Sequence, residues 1–264
     1  MSHPLNTPIG RFGIETHEGT GTRVVATIPV AGLVNPLTGA PTVAPLAMLL
    51  DHVGGLANHI RKGDDEWTLT TELSLELVPE AVDLIAGHGD PVVAHARPFA
   101  HKTRTALALA EFTHRGTVIG TGTVRSFYIV AAEFTDFPSD PAHHERKTGL
   151  ADMMAVRPGP GPAELRQAAD PVLNNSLGVV HGGVAATGLE LVADAAVNAA
   201  GAAGDPPLRT GSLRVNYLRR LLAGDQSRYE ATALRVGRST GTASAQAVGA
   251  DGRQALTAHY TAYR

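Results

Sequence analysis

The 264-residue sequence contains no cysteine, which excludes disulfides, thiolate metal sites and a cysteine nucleophile. Aromatic residues are also scarce, at 5%, although hydrophobic residues make up 43% of the chain. We therefore expect a sizeable core built mainly from alanine, valine and leucine. The length suits one large domain or two of ordinary size.

Charge is low as well. Charged residues make up 18% of the chain and the net charge is −3, so nothing indicates broad attraction to nucleic acid or to an anionic membrane. Residues 1–10 lack the charged start and apolar core of a signal peptide. The apolar run at 43–50 is too short to span a bilayer. We expect a cytoplasmic protein that binds neither nucleic acid nor membrane.

The chain contains an internal repeat. When the second half is shifted back by about 139 residues, four of its segments fall on four segments of the first half in the same order. The pairs are 35–55 with 174–194, 67–80 with 207–220, 96–112 with 233–248, and 114–129 with 250–264. The aligned residues include Asp51 with Glu190, Asn35 with Asn174, Gly39 with Gly178, and Gly116 with Gly252 at a hairpin turn.

Each half has the pattern of an early strand, a loop, one long helix and three or four antiparallel strands. The helices are expected over 45–61 and 183–200, because the first has proline in its first turn and both end at glycine. A single helix cannot cover both faces of a sheet. We therefore predict an α+β fold in which one helix lies across a curved antiparallel sheet in each of two packed units.

The predicted repeats are residues 1–130 and 163–264. The polar, Pro/Gly-rich stretch 131–162 is predicted to be a surface linker. It contains His143 and His144, which we interpret as solvated rather than as metal ligands.

The second half carries a specific motif. Asn175, the His181–Gly183 turn and Glu190, nine positions after the histidine, resemble the motif of hotdog-fold acyl-CoA thioesterases. The closest group includes the phenylacetate-pathway and hydroxybenzoyl-CoA enzymes. The strands around 210–219, 235–239 and 251–260 look like those of the same family, in the same order. The first half matches in layout and at Asn35, Gly39 and Asp51, but it has Thr42-Val43 in place of His181-Gly182. The resemblance implies a tandem, or double, hotdog.

The resemblance to the family and the chemistry of an acyl-transfer site both indicate a functional role for the His181–Gly183 turn. Backbone N–H groups at a helix start favour an anion, and glycine lets a ligand approach closely. Gly182 and Gly183 are therefore candidates for an oxyanion hole. In the family the histidine is usually a supporting group, which is the role expected for His181. Asn175 would orient water or hold the carboxylate; Asn174 competes for this role, and an Asx turn is the structural alternative.

Two carboxylates, Asp51 and Glu190, lie within apolar helices, and such buried charges usually have a partner or a task. Either is a candidate general base or a candidate nucleophile that forms an anhydride. Asp194 and Asn198 follow Glu190 on one helix face, where Asp194 is expected to be solvated. The small residues around Glu190 would leave room for a sizeable acyl group.

In related dimers the His-Gly-Gly turn and the carboxylate come from different subunits. Transferred to this chain, the turn would face Asp51, and Glu190 would face the degenerate Thr42-Val43 loop at an impaired or repurposed site. The alternative is that Glu190 serves its own turn, or the turn of another chain.

The substrate would bring coenzyme A, whose phosphates need cations. Arg235 and Arg238 are the predicted ligands, with Arg219-Arg220 and their first-half counterparts Lys102 and Arg104 as further candidates. Thr210 and Ser212 are predicted to hydrogen-bond the carboxylate or water.

The predicted activity is hydrolysis of an acyl-CoA to free acid and CoA, with no metal or organic cofactor. The alternatives are a non-catalytic acyl-CoA-binding or regulatory hotdog protein, a hotdog hydratase or dehydratase, and a structural assembly protein. The acyl group stays open between aromatic, short and medium chains. Homo-oligomers of double-hotdog chains are also expected.

Overall fold

The computed structural model describes residues 1–130, 134–140, 144–202 and 204–264. Its helices are α1 (Pro8–Arg11), α2 (Pro45–His59), α3 (Ala81–Ala86), α4 (Leu150–Met154) and α5 (Gly182–Ala199), and a 3-10 turn covers Pro171–Leu173. The strands of the first repeat are β1 (Glu15–Gly19), β2 (Val24–Ile28), β3 (Glu66–Leu77), β4 (Val92–Phe99), β5 (Thr105–His114) and β6 (Thr117–Val130). Those of the second are β7 (Val156–Pro158), β8 (Glu164–Gln167), β9 (Arg209–Tyr217), β10 (Arg228–Val236), β11 (Thr240–Val248) and β12 (Gln254–Tyr263).

The strands form one twelve-stranded sheet in the order β1-β2-β4-β5-β6-β3-β9-β12-β11-β10-β8-β7. The first six strands in this order belong to the first repeat and the last six to the second. The repeats join where β3 pairs antiparallel with β9, with Leu75 opposite Leu213. Each half of the sheet packs on its own long helix, and α2 and α5 contact each other. The fold is the predicted α+β pair of hotdog units.

The two central helices are buried because they are apolar almost all round. In α2, Leu46, Leu49, Leu50 and Val53 have no exposed surface, and each contributes about 1.5–3 kcal/mol relative to an exposed side chain. The sheet approaches α2 closely at Gly122, where a Cβ would lie 2.5 Å from Leu50 Cδ2. A larger residue at 122 would therefore push the sheet away from the helix.

The predicted helix limits are confirmed to within two residues, since α2 ends at His59 and α5 spans Gly182–Ala199. Gly116 and Gly252 occupy the predicted hairpin turns, with φ of +80° and +72°. Such angles favour glycine because a Cβ makes them strained. Helix α3, in contrast, was not predicted. None of the helices in the described ranges is long and apolar enough to cross a membrane.

The second repeat begins earlier in the structure than the predicted linker allows. Helix α4 and strand β7 both lie within 131–162, and β7 pairs with β8 through Val156 opposite Gln167. His144 is exposed, whereas His143 lies outside the described residues. Residues 134–140 form the linker segment.

Candidate active site

The His181–Gly183 turn starts α5. The backbone N–H of His181 donates to the Leu173 carbonyl (2.9 Å), and His181 Nδ1 accepts from the Gly183 N–H (3.1 Å). Because Nδ1 accepts this bond, a neutral His181 carries its proton on Nε2. Burial lowers the pKa of His181, an effect that the nearby Asp51 charge opposes. The turn therefore offers a neutral imidazole whose Nε2–H is a donor.

Asp51, from α2 of the first repeat, lies against this turn. Its Oδ2 is 3.4 Å from His181 Nδ1, and a Cβ on Gly182 would stand 2.9 Å from the same oxygen. A Cβ on Gly183 would meet the Met48 backbone at 2.8 Å. The Gly182 N–H, at the first position of α5, has no hydrogen-bond partner in the part of the chain that the structure describes. The carboxylate of the first repeat thus lies against the start of α5 in the second repeat.

Two hydroxyl groups that were not predicted complete this arrangement. Thr70 on β3 donates to Asp51 Oδ1 (2.8 Å), and Tyr217 on β9 donates to the Gly182 carbonyl (3.0 Å). Burial, and secondarily the Asp51 charge, raises the pKa of Tyr217 well above its usual value, so this hydroxyl stays protonated. Thr70 could have been found from the sequence, because the repeat alignment pairs it with Thr210, which was predicted to hydrogen-bond the carboxylate or water.

An open cavity of about 570 Å³ leads to Asp51. It runs along α2, where lining residues recur on one face at Asp51, Gly55 and His59, and along the start of β3. Its other lining residues include Ile9, Leu56, Trp67, Leu69, Phe137, Asn175, Val179, His181, Gly182, Tyr217, Arg219 and Arg220. The volume is in the range of small-molecule binding sites.

His52, next to Asp51, also lines the cavity. Its Nε2 bonds Thr16 Oγ1 (2.8 Å), and its ring meets His3 edge-on, with the centroids 5.4 Å apart. Burial lowers the pKa of His52 to about 3, with the charges of His3 and His181 adding to the effect. His52 is therefore a neutral part of the wall at ordinary pH.

Asn175 forms an Asx turn, the structural alternative considered for it. Its Oδ1 accepts from the Leu177 N–H (2.9 Å) and its side chain faces the cavity. Asn35 makes the same turn through the Leu37 N–H (3.0 Å). The bridges Val34–Pro41 and Asn174–Val180 are also equivalent. The counterpart of Asn35 is thus Asn175 rather than Asn174, which corrects the repeat alignment by one residue.

The first repeat has a turn equivalent to His181–Gly183. The Thr42 N–H donates to the Leu33 carbonyl (3.2 Å), and Thr42 Oγ1 accepts from the Ala44 N–H (3.1 Å), as His181 does for Gly183. Thr42 and Val43 line a second cavity of about 160 Å³ together with Glu190. Val82 of α3 also lines it. The degenerate turn therefore faces Glu190 in a much smaller space.

Glu190 is fully buried there. Its Oε1 accepts from Thr210 (2.5 Å), and its Oε2 has no hydrogen-bond partner among the described residues. Burial raises the pKa of Glu190 to about 8; the charge of Asp194 adds to this and the Thr210 bond opposes it. Small residues nearby do not leave room for an acyl group, because a Cβ on Gly188 would meet the Tyr229 ring at 2.7 Å.

The expectation that Asp194 is solvated is wrong. It accepts hydrogen bonds from Asn35 (3.1 Å) of the first repeat and from Asn198 (3.0 Å). Burial raises its pKa to about 6, with these hydrogen bonds opposing the shift. Asp194 thus ties α5 to the first repeat.

The residues predicted to bind the substrate do not lie together in the structure. Arg235 and Arg238 are exposed and line neither cavity, whereas Arg219 and Arg220 line the larger one. Thr210 bonds Glu190 in the smaller cavity. Ser212 alternates with buried Gly211 and Leu213 on β9, which places it on the opposite face of the sheet.

Comparisons with known proteins match these observations. Residues 177–256, which include the His181–Gly183 turn and Glu190, match the model of the thioesterase superfamily. The predicted resemblance to hotdog thioesterases is confirmed. No curated protein matches the sequence significantly.

Solved structures share the whole double fold. The TesB protein of Mycobacterium avium subspecies paratuberculosis has 10% identity and a TM-score of 0.66, with 99% of each chain covered. Acyl-CoA thioesterase II TesB2 of Mycobacterium marinum has 12% identity and a TM-score of 0.58, covering 94% of this chain and 95% of its own. A hot-dog-fold protein of unknown function from Alicyclobacillus acidocaldarius has 15% identity and a TM-score of 0.52, covering 100% and 98%. At these identities the similarity is one of fold.

Proposed function

We propose that the chain is an acyl-CoA thioesterase that hydrolyses its substrate between Asp51 and the His181–Gly183 turn. The observation that carries the proposal is the buried Asp51 carboxylate beside the unpaired Gly182 N–H, at the end of a cavity of about 570 Å³. The match of residues 177–256 to the thioesterase superfamily supports the same chemistry.

The Gly182 N–H would bind the thioester oxygen as negative charge develops on it. It lies at the N-terminus of α5, where the helix dipole favours an anion. Loss of one such donor costs about 2.7–4 kcal/mol in well-studied acyl transfer. The Gly183 N–H is already held by His181 Nδ1, so His181 orients the turn and its Nε2–H is the second donor available to the substrate.

Asp51 would act as the base. With Oδ1 held by Thr70, it removes a proton from water, whose oxygen adds to the carbonyl carbon. The C–S bond then breaks, and the proton passes from Asp51 to the CoA thiolate. As a nucleophile, Asp51 would instead displace the thiolate and form an anhydride, which water hydrolyses. Label in Asp51 after a single turnover in ¹⁸O-water would establish the anhydride route, because water that attacks the Asp51 carbonyl of the anhydride leaves its oxygen in the protein.

Coenzyme A would extend toward Arg219 and Arg220. Neither side chain has an ion-pair partner within the described ranges, and both line the cavity beyond Tyr217. Guanidinium groups suit phosphates because they donate bidentate hydrogen bonds.

Hydrolysis is assigned to this site alone. The cavity at Glu190 measures about 160 Å³ and has the Val43 side chain where the larger site has Gly182. There is little space for a thioester with its pantetheine arm, so Glu190 is proposed as a non-catalytic residue.

Thiol release across an acyl-CoA panel tests the proposal, with Asp51→Asn and Glu190→Gln as a matched pair. Asp51→Asn should lower kcat by about 10²–10⁴-fold, whereas Glu190→Gln should stay within about threefold, well below a general-base effect. Full activity in Asp51→Asn would make the assignment across repeats wrong. Binding of acyl-CoA without turnover in the unmodified chain would favour the non-catalytic alternative.

A further inference from the structure

The cavity has a second end, eight residues along α2 from Asp51. At 1.5 Å per residue this end lies about 12 Å away. Here Trp67 on β3 meets the His59 ring edge-on, with the centroids 4.5 Å apart, and Phe134 packs on Trp67 at 4.3 Å. His59 and Trp67 therefore line the end of the cavity remote from the reacting carboxylate, and Phe134 packs behind Trp67.

Phe134 belongs to the linker segment, which is attached to both repeats. The Thr135 N–H donates to the Ser176 carbonyl (2.8 Å), next to Asn175, and Asn6 Nδ2 donates to the Pro138 carbonyl (2.8 Å). Phe137 lines the cavity directly. The linker segment thus forms part of the cavity wall through Phe137, and its main chain is held by a backbone hydrogen bond on one side and by the Asn6 side chain on the other.

The histidine at this end of the cavity is uncharged. His59 Nδ1 is bonded to Thr68 (2.9 Å), and burial lowers the pKa of His59, with Lys62 adding to the effect, so the ring is neutral near pH 7. Leu56 and Leu69 complete the wall. Between the two ends, a Cβ on Gly55 would have no atom of the described residues within 4 Å, so the path along α2 is open.

We propose that this aromatic end is the acyl-binding subsite, and that Phe134 and Phe137 of the linker segment select apolar acyl chains long enough to reach Trp67. The inference rests on the proposed hydrolysis at Asp51. An apolar chain is favoured because each buried methylene gains about 0.8 kcal/mol. Acetyl would leave the subsite unfilled.

Kinetics with acetyl-, hexanoyl- and decanoyl-CoA test the subsite. The unmodified chain should prefer decanoyl, and Phe134→Ala and Phe137→Ala should each lower kcat/KM for decanoyl by about 10-fold, with acetyl changed by less than about twofold. Phe99→Ala is the matched control, because Phe99 and Phe134 are equally exposed (48% and 49%), whereas of the two only Phe134 packs on the Trp67 ring.

Gly55→Leu tests the same path from the opposite side. Leucine would fill the open space between Asp51 and His59, so kcat/KM for decanoyl should fall by about 100-fold and that for acetyl much less. Equal effects of Gly55→Leu on all chain lengths would overturn the proposed direction of the acyl chain.

A second readout does not need hydrolysis. Trp67 is the chain's single tryptophan, so its fluorescence reports occupancy of this end. Decanoate should change the emission saturably and acetate should not, and Gly55→Leu should abolish the response while Phe99→Ala keeps it. Turnover without chain-length preference or fluorescence change would overturn the subsite and leave the hydrolysis intact. A fluorescence response without turnover would support the subsite as an apolar binding site and overturn the hydrolysis.

Discussion

Asp51 and Gly182 belong to different repeats, yet a Cβ on Gly182 would lie only 2.9 Å from Asp51 Oδ2. Each site of the double hotdog therefore takes its carboxylate from one repeat and its turn from the other. Replacement of the first turn by Thr42-Val43 alters only the site that contains Glu190. Fusion of the two units in one chain allows this asymmetry, since identical subunits would lose both turns together.

The close approach at Gly182 predicts the effect of a single added methyl group. In Gly182→Ala, the Cβ would displace Asp51 or the Tyr217 ring, which stands 3.1 Å from it. A displacement of about 1 Å at a reacting group costs about 100-fold in rate, so kcat should fall by that order. Gly21→Ala is the control, because its Cβ would lie more than 4 Å from every atom in the part of the chain that the structure describes. Full kcat in Gly182→Ala, measured at saturating substrate, would contradict the proposed site.

The two threonines that bond the carboxylates form a second matched pair. Thr70→Val removes the hydrogen bond to Asp51 Oδ1 while keeping the shape of the side chain. Hydrogen bonds to charged groups contribute about 1.5–3 kcal/mol, so kcat should fall by about 10–100-fold, and Thr70→Ser should restore most of it. Thr210→Val, which removes the bond to Glu190, should leave kcat nearly unchanged. Equal losses in both variants would assign Glu190 a part in the reaction.

The central helices were predictable from the sequence pattern, whereas the facing of Asp51 toward the second turn was implied only by the resemblance to related dimers. Helix ends are marked by local signals, proline at residue 45 and glycine after the last turn, and the order of segments defines the repeat. The alignment failed by one residue at Asn35 because its turn is longer. Four positions separate Asn35 from Gly39, whereas three separate Asn175 from Gly178.

The remaining errors concern contacts between distant segments. Asp194 was expected to be solvated because its neighbours in the helix carry no information about Asn35, which donates a hydrogen bond to it from the other repeat. The small residues near Glu190 indicated free space, but the Tyr229 ring occupies the space beside Gly188. The packing of Phe134 on Trp67 likewise cannot be inferred from the periodicity of either segment. Tertiary packing decides such positions, and no local pattern specifies it.

The buried Glu190 predicts a dependence of stability on pH. Its pKa is raised from 4.5 to about 8 in the folded chain, so between these values the unfolded chain has lost a proton that the folded chain keeps. Stability from this group should therefore fall as pH rises through that window, and Asp194, raised to about 6, acts in the same direction.

Thermal melts of Glu190→Gln measure this effect. The Tm of the variant should exceed that of the unmodified chain by about 4 °C at pH 8, and the difference should shrink toward pH 4.5. Glu111→Gln, at an exposed position of β5, should show no such trend. A constant Tm difference between pH 5 and 8 would mean that Glu190 titrates alike in both states.

Two pairs of arginines mark two different positions for coenzyme A, one indicated by the cavity and the other expected from the sequence. Arg219 and Arg220 line the larger cavity, whereas Arg235 and Arg238 do not. Replacing the first pair by alanine should raise KM for acyl-CoA by about 10-fold at low salt, with a smaller effect at high salt because exposed charges are screened. The value of kcat should change little, since these side chains do not contact the reacting atoms.

The corresponding alanine variant at Arg235 and Arg238 should keep its KM. A thioester of pantetheine lacks the nucleotide phosphates and therefore tests whether the arginines bind these phosphates. Its KM should be the same in the unmodified chain and in both variants. A rise in KM confined to the Arg235 and Arg238 variant would place coenzyme A along β10. That result would overturn the position of the substrate derived from the cavity, while the pairing of Asp51 with Gly182 would stand, because it depends on neither arginine pair.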